Sequence, residues 1–226
     1  MKIRSVRLDI ISKIESQKKN NERVNIYIDN EYAFSCSLEV VINNKLTQGK
    51  PIDSIQLRSI IEEDSYIKCK SYAFRVVERG FKSEKEIQKK IMDKGFDTKT
   101  CDRVIDLLKE YQYINDSKLS DMYINQKIKS EGKNKIKAYL YKKGIPESII
   151  KDKLSNINED LEENTALDLA FKKYKQLLNT EKDNKKLYKK TGDFLIRKGY
   201  SYEVSKSVLN RIFNEAYGGD QKICKE

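Results

Sequence analysis

The ten residues IKAYLYKKGI at positions 136–145 decide the fold, because related stretches occur three times along the chain. Each stretch contains a Lys-Gly pair followed at once by a large apolar residue, and the pairs are Lys94-Gly95, Lys143-Gly144 and Lys198-Gly199. The glycines lie 49 and then 55 residues apart, and apolar residues recur ten and thirteen positions after each of them. Self-similarity at this period predicts three copies of one structural unit.

Each copy is predicted to consist of three helices. Apolar residues with helical spacing lie on both sides of every Lys-Gly pair, and a further helix lies upstream, at 66–79, 117–130 and 160–180. The glycine supplies the left-handed residue that ends a helix, and the lysine before it faces the negative end of the helix dipole. Stacked units of this kind predict an elongated, solenoid-like protein.

Several single residues mark predicted helix ends. Gly80 and Gly132 are expected to close the upstream helices of the first two copies, and Pro146 to lie in the first turn of the last helix of the second copy. Asp116 is expected to cap the helix that follows it, and the acidic residues of 159–163 to form a solvated helix start.

Residues 1–62 have a different sequence pattern, which predicts a small α+β domain. Apolar and polar residues alternate at 8–14 and 24–28, which predicts two strands joined by a polar loop at 17–22. A third strand is expected at 32–35, after a tight turn.

Two helices complete this first domain, one capped by Ser37 and one that begins at Ser54. The prediction is therefore a mainly α protein in which a three-stranded meander with two helices precedes tandem three-helix repeats. The expected domains cover residues 1–62, 63–116, 117–158 and 159–226.

The composition excludes several chemistries. The chain has no histidine, so it lacks Ser-His and Cys-His nucleophile pairs and histidine zinc sites. It has no phosphate-binding loop, and its four cysteines show no CxxC spacing. We therefore expect no enzyme, no cofactor and no metal. Carboxylate or lysine chemistry stays open, but no group of residues supports it.

The N-terminal residues lack the apolar core of a signal peptide, and no apolar run is long enough to span a membrane. We therefore expect a cytoplasmic protein with reduced cysteines and no membrane contact. We also expect it to be a monomer.

Positive charge is concentrated in the second copy. The chain has a net charge of +11, and residues 117–158 hold ten basic and four acidic side chains. Such a segment repels itself unless a polyanionic partner neutralises it, although solvated helix faces are the simpler interpretation of lysine-rich stretches. The candidate binding residues for DNA or a protein partner are Lys127, Lys129, Lys133, Lys135, Lys137, Lys142, Lys143, Lys185, Lys186, Lys189 and Lys190. The interleaved Tyr139, Tyr141 and Tyr188 are expected to fill core or groove rather than to stack on bases.

The sequence resembles the RecX family, the bacterial regulators of the RecA recombinase, over about residues 66–215. The residues that carry the resemblance are Ser83-Glu84-Lys85-Glu86-Ile87, Lys94-Gly95-Phe96, Tyr113-Ile114-Asn115-Asp116, Gly132-Lys133 and Lys143-Gly144-Ile145. The resemblance implies a repeat protein that lies in the helical groove of the RecA–DNA filament. There it would hinder recombinase activity, ATP turnover and cleavage of the SOS repressor, and some members also bind single- or double-stranded DNA directly.

An alternative is a stand-alone DNA-binding protein that uses its three-helix units as helix-turn-helix modules. The helices after the Lys-Gly pairs would then have to read base edges near their N-termini. Those helices begin with Asp97, Glu147 and Glu203, whose charges repel phosphate, so this alternative ranks second.

Overall fold

The computed structural model describes the backbone of residues 9–220 and the side chains of residues 9–214. Residues 1–8 and 221–226, which belong to the first and last predicted domains, lie outside this range. The chain divides into two compact units. Unit 1 contains the described residues up to Phe81 together with Ile87–Ile114, and unit 2 contains Lys82–Glu86 together with the chain from Asn115 onward.

Unit 1 begins with an antiparallel sheet of four strands in the order β3-β2-β1-β4. The strands are β1 (Asp9–Gln17), β2 (Asn20–Ile28), β3 (Glu31–Ser37) and β4 (Pro51–Ile52). The three predicted strands are confirmed. The sheet has a fourth strand that was not predicted, β4, which pairs with the start of β1. A strand of two residues has no measurable alternation, so sequence patterning missed it.

The two hairpin turns of this sheet are tight. The polar loop predicted at 17–22 is wrong, because β1 and β2 are separated only by Lys18 and Lys19. Between β2 and β3, Asp29 and Asn30 both adopt positive φ, at 47° and 68°. Aspartate and asparagine tolerate this conformation, and two such residues in a row match the right-handed twist of the flanking strands.

One face of the sheet packs on two helices, α1 (Leu38–Asn43) and α2 (Ser54–Val77). Ser37 caps α1 as predicted, since its hydroxyl accepts the N–H of Val40. The core between them contains Ile11, Val24, Ile26, Cys36 and Ile60.

The prediction of two separate helices in this part of the chain is wrong, because α2 runs unbroken for 24 residues. The polar residues near position 63 interrupted the apolar pattern, yet no glycine or proline breaks the helix there. Their side chains have partners in the sheet domain: Glu63 accepts hydrogen bonds from Asn43 and Asn44, and Asp64 pairs with Arg23. Tertiary contacts therefore explain the polar residues that looked like a boundary.

The first repeat combines the end of α2 with α3 (Glu84–Asp93) and α4 (Thr98–Glu110). The first turn of α3, residues 84–86, belongs to unit 2. In unit 1, residues of the three helices enclose an apolar core. Its fully buried members are Cys69, Ala73, Ile87, Ile91, Cys101, Val104 and Leu108.

The described part of unit 2 contains six further helices, in two sets of three. They are α5 (Asp116–Lys127), α6 (Lys133–Lys142), α7 (Glu147–Ser155), α8 (Glu159–Leu178), α9 (Asn184–Lys198) and α10 (Tyr202–Asp220). Each set encloses its own core, around Leu140 and Ile150 in the first and around Leu195 and Val208 in the second. The prediction of tandem three-helix repeats is confirmed.

The repeated glycines end their helices as predicted, with φ of +94° at Gly95, +77° at Gly144 and +91° at Gly199. Gly80 follows α2 with φ of +115°. Gly132 does not close a helix: it adopts φ of −79° and is the N-cap of α6. Pro146 is the N-cap of α7, one residue outside the helix in which it was expected.

The second helix of the third repeat is longer at its start. α3 and α6 begin eleven residues before Gly95 and Gly144, whereas α9 begins fifteen residues before Gly199. The added turn is capped by Asp183, whose carboxylate accepts the N–H groups of Lys185 and Lys186.

Candidate functional site: the lysines of the second and third repeats

Two of the Lys-Gly pairs, Lys143-Gly144 and Lys198-Gly199, make contacts within unit 2 as well as ending helices. The N–H of Gly132 donates to the carbonyl of Lys198 at 2.9 Å, and the N–H of Asn134 donates to the carbonyl of Gly199 at 3.0 Å. A Cβ on Gly132 would lie 2.5 Å from the backbone of Gly199, so α6 can meet the end of α9 only through a glycine. The start of α6 is thereby fixed on the next repeat.

A second contact of the same design lies elsewhere in unit 2, between the segment Lys82–Glu86 and the end of α6. The hydroxyl of Ser83 donates to the carbonyl of Lys143. The ammonium of Lys143 donates in turn to Oε1 of Glu86 at 2.6 Å. Ser83 and Gly132 both stand twelve residues before a Lys-Gly glycine, so the two contacts use equivalent positions of the repeat.

Two buried carboxylates complete these contacts. Asp116 accepts the backbone N–H of Glu84 at 3.0 Å, and Glu162 accepts the backbone N–H of Lys133 at 3.0 Å. Both acceptors sit where a helix leaves N–H groups unpaired, and they satisfy one of them. The positions of Glu84 and Lys133 are again equivalent in the repeat.

The sequence-based roles of these two carboxylates are therefore wrong. Asn115, not Asp116, caps α5, by accepting the N–H of Lys118. Glu162 is not solvated, since only 5% of it is exposed. Both side chains reach the start of another helix, which a local pattern cannot show.

Four of the candidate lysines are held in ion pairs. The ammonium of Lys133 lies 3.3 Å from Glu162, and that of Lys143 lies 2.6 Å from Glu86. These two side chains are about one-quarter exposed. The other two pairs are more open and join Lys135 to Glu131 and Lys190 to Glu181.

The pKa directions agree with the Lys143–Glu86 pair. The hydrogen bond to Glu86 raises the pKa of Lys143. Burial alone would raise the pKa of Glu86, but the hydrogen bonds from Lys143 and the Ser83 amide outweigh burial and lower it. Both groups are therefore charged at neutral pH, and the ammonium of Lys143 is engaged within the protein.

Six candidate lysines are exposed and have no ion-pair partner in the described part of the chain. They are Lys129, Lys137, Lys142, Lys185, Lys186 and Lys189. Lys127 is half-buried. On α9 the lysines lie on the face opposite the buried Leu187 and Leu195, where they are presented to solvent. The structure thus divides the candidates into lysines that stabilise the fold and lysines available to a partner.

The tyrosines among these lysines differ in exposure. Tyr139 is half-buried and stacks on Tyr123, with ring centroids 3.6 Å apart and planes 5° apart. It is core filling, as expected. Tyr141 and Tyr188 are exposed, at 41% and 36%.

Neither a metal site nor a membrane-spanning helix is found among the described residues. No group of three or more cysteine, aspartate or glutamate side chains there is arranged to hold a metal ion. No helix in the same range has the length and apolar character needed to cross a membrane.

Comparison with protein families gives four consecutive matches. Residues 9–53 match the regulatory protein RecX N-terminal domain. The first, second and third three-helix domains of RecX match residues 69–108, 115–154 and 161–209.

Curated relatives carry the description "Regulatory protein RecX". The protein of Clostridium tetani is 45% identical over 206 residues, which covers 91% of this chain and 95% of the relative. That of Clostridium perfringens strain SM101 is 43% identical over 207 residues, covering 92% of this chain and 98% of the relative.

Solved structures show the same fold. A crystal structure of regulatory protein RecX superposes with a TM-score of 0.68 at 28% identity, covering 89% of this chain and 98% of the other. The crystal structure of RecX from Lactobacillus salivarius superposes with a TM-score of 0.61 at 22% identity, covering 66% of this chain and 97% of the other.

Proposed function

The chain belongs to the RecX family, and we propose that it is a non-enzymatic regulator that binds the RecA–DNA filament and lowers its recombinase, ATPase and co-protease activities. We place it in the cytoplasm as a monomer, at the filament that it regulates. DNA repair and the SOS response are the processes that this activity would affect.

The observation that supports the proposal most directly is the set of exposed lysines on unit 2. Lys137 and Lys142 on α6, and Lys185, Lys186 and Lys189 on α9, have no acidic ion-pair partner in the described part of the chain. Clustered ammonium groups attract a polyanion, and binding releases the counterions of that polyanion. A DNA filament is such a partner.

The test is the DNA-dependent ATPase activity of RecA, measured while this protein is added. We expect inhibition at less than one molecule per RecA, and weaker inhibition as salt rises. Full ATPase activity at an equimolar ratio would contradict the proposal.

Charge-reversal variants test which lysines take part. Lys137→Glu with Lys142→Glu changes two exposed side chains, and we expect inhibition to weaken several-fold and to depend less on salt. The matched control is Lys18→Glu with Lys19→Glu, which makes the same change of net charge at an exposed hairpin turn. Equal inhibition by the two double variants would remove Lys137 and Lys142 from the interface.

The paired lysines should respond differently. Lys133→Glu and Lys143→Glu each place two carboxylates together, so we expect a loss of stability rather than a selective loss of binding. Thermal unfolding of each variant separates the two effects.

The alternative of sequence-specific binding through helix-turn-helix modules gains no support. Asp97 is the N-cap of α4, and Glu147 and Glu203 lie in the first turns of α7 and α10. A footprint on one DNA sequence without RecA would reverse this ranking.

A further inference from the structure

The third repeat contains an open groove between α9 and α10 with a volume of about 320 Å³. Ile196 of α9 lines one wall, and Tyr202 and Leu209 of α10 line the other. Ile196 is 49% exposed and Tyr202 is 68% exposed. Apolar side chains left open beside a cleft are typical of a binding surface.

The same groove occurs in the second repeat, between α6 and α7. Counted from the Lys-Gly glycine, Tyr141 stands at the position of Ile196, and Leu154 at the position of Leu209. There the chain supplies its own polar neighbour, because the carboxylate of Glu147 raises the pKa of Tyr141 through its interaction with the Tyr141 hydroxyl. Glu147 occupies the position of Tyr202.

The first repeat has different chemistry at the corresponding positions of α4. Thr98 stands at the position of Tyr202, and Asp102 stands at the position of Lys206. The side-chain amide of Gln88 on α3 donates to Asp102 at 3.5 Å. A carboxylate in place of the lysine disfavours an anionic ligand. The third repeat is therefore the copy that combines a tyrosine and a lysine at these two positions.

The rim of the third groove is positive. Lys189 and Lys206 line it from the two helices, and Lys185 and Lys186 lie on the same outward side of α9. All four are exposed and have no ion-pair partner within the described chain, and Asp193 is the acidic residue of the lining. The charge balance favours a ligand with several negative groups.

The lining of the groove also includes a buried polar group, the hydroxyl of Ser205. Ser205 is 3% exposed, lines the groove, and its hydroxyl has no hydrogen-bond partner. The equivalent residues in the other two repeats are Cys101 and Ile150. A buried hydroxyl without a partner is unfavourable, and a ligand with a polar edge would satisfy it.

We propose that the α9–α10 groove binds one base of single-stranded DNA, with the flanking phosphates on the rim lysines. The base stacks on Tyr202 against Ile196, and its polar edge meets the hydroxyl of Ser205. Aromatic stacking with an adjacent positive groove is the general mode of single-strand binding. This site rests on the proposed function, because it names the part of the filament that the third repeat touches.

An apolar side chain from an acidic peptide is the competing occupant. It would fill the walls and meet the lysines, but an aliphatic side chain would leave the Ser205 hydroxyl unpaired. A base has a flat apolar face for the walls and hydrogen-bonding edges for the Ser205 hydroxyl. The phosphates of its strand meet the rim lysines, so a nucleotide fits all three of these features.

The experiment measures binding of the protein alone, without RecA, to two oligonucleotides of equal length and charge, one of thymidine and one abasic. We expect the thymidine strand to bind at least about five-fold more tightly, which corresponds to the weaker end of base–aromatic stacking. Tyr202→Ala should abolish this ratio and leave the affinity for the abasic strand unchanged. Tyr202→Phe should retain it, since the ring remains.

The control variant is Tyr111→Ala, at a tyrosine of unit 1 with a similar exposure of 63%. It should leave the ratio of the two affinities unchanged. Because Tyr202 is mostly exposed, its variants should unfold at the wild-type temperature, and that measurement accompanies the binding data.

Three outcomes would overturn the base site: no binding to either strand, equal affinity of the wild type for both strands, or a preference that survives Tyr202→Ala. A further one is Tyr202-dependent binding of an acidic peptide with a single leucine, which would assign the groove to a protein segment. RecA ATPase inhibition is measured separately on the same proteins. Loss of the base site with inhibition intact overturns this inference alone, whereas absence of inhibition by the wild type overturns the proposed function.

Discussion

Gly132 at the start of α6 donates its N–H to the carbonyl of Lys198 at the end of α9, across 2.9 Å. The two residues stand 66 positions apart in the sequence, yet they join consecutive repeats of unit 2 through backbone atoms alone. The Lys-Gly pair thus has two uses, since it ends one helix and receives the beginning of another.

We expect Gly132→Ala to lower the free energy of unfolding by about 1–3 kcal/mol, because the new Cβ would meet the backbone of Gly199 at 2.5 Å and force the helices apart. Urea denaturation followed by circular dichroism measures the change. Gly95→Ala is the control: it has φ of +94° but open space around the Cβ, so only conformational strain of about 1–2 kcal/mol applies. A Gly132 variant as stable as the wild type would contradict the close approach.

The Glu86–Lys143 pair predicts a pH dependence. The pKa of Glu86 is lowered in the folded protein, so the ionised carboxylate stabilises the fold. This stabilisation is fully present above the ordinary pKa of 4.5 and is lost as the pH falls through the pKa of the folded state. Glu86→Gln should therefore destabilise the protein at neutral pH by about 1 kcal/mol, given partial solvent screening, and this difference should shrink in acid as the pH falls below 4.5.

Urea denaturation at neutral pH and below pH 4.5 tests this dependence. The control is Glu15→Gln, which breaks the exposed pair with Lys13 on the hairpin and should leave the urea midpoint unchanged. A difference between the wild type and Glu86→Gln that persists in acid would rule out the charged pair as its cause.

Asp64 should be the most sensitive polar residue of unit 1. Its carboxylate accepts two hydrogen bonds from Arg23 and one from the Ser37 amide, and it pairs with Lys68 at 2.7 Å. Burial alone would raise the pKa of Asp64, but the hydrogen bonds from Arg23 and Lys68 outweigh burial and lower it. We expect Asp64→Ala to cost about 3–5 kcal/mol, since it leaves a mostly buried guanidinium without its partner.

Asp64→Asn is the matched variant, because the amide oxygen can still accept from Ser37 and preserve the side-chain shape. It should be less destabilising than Asp64→Ala in chemical denaturation. Similar losses for both would show that charge, rather than packing or acceptor geometry, dominates at this position.

Glu162→Ala should lower the free energy of unfolding by about 2–3 kcal/mol, since it leaves both the N–H and the ammonium of Lys133 without their acceptor. Lys133→Ala removes only the ammonium and keeps the bond from the backbone N–H, so its effect should be smaller. Hydrogen exchange of the Lys133 amide gives a local measurement, and we expect faster exchange in Glu162→Ala alone. Unchanged exchange there would contradict the capping role.

Local chemistry made the repeats predictable from sequence. The Lys-Gly pair and the apolar residues around it lie within a single copy, so the end of the helix can be predicted from local sequence alone. Gly95, Gly144 and Gly199 end their helices as this pattern predicts. The strands of the N-terminal domain alternate clearly enough to be recognised. β4 and the continuity of α2 were missed because their evidence lies in tertiary partners.

The pairing of the lysines could not be predicted in the same way. Lys143 meets Glu86 from 57 residues away, and Lys133 meets Glu162 from 29 residues away. One signal was available: the small residues Ser83 and Gly132 share a position in the first two copies, which indicates a close approach. The groove between α9 and α10 could not be predicted in this way, because the sequence around an exposed tyrosine does not show whether that tyrosine lines a groove.

The longer start of α9 changes the position that the first two copies use for contact with another helix. Where the earlier copies have the small Ser83 and Gly132, the third has Leu187, enclosed in the middle of a helix. The additional turn of α9 is capped by Asp183, which lies directly before the helix. The equivalent helix starts in the first two copies instead receive a carboxylate from another helix, Asp116 or Glu162. The third copy therefore satisfies the start of its second helix from within its own sequence.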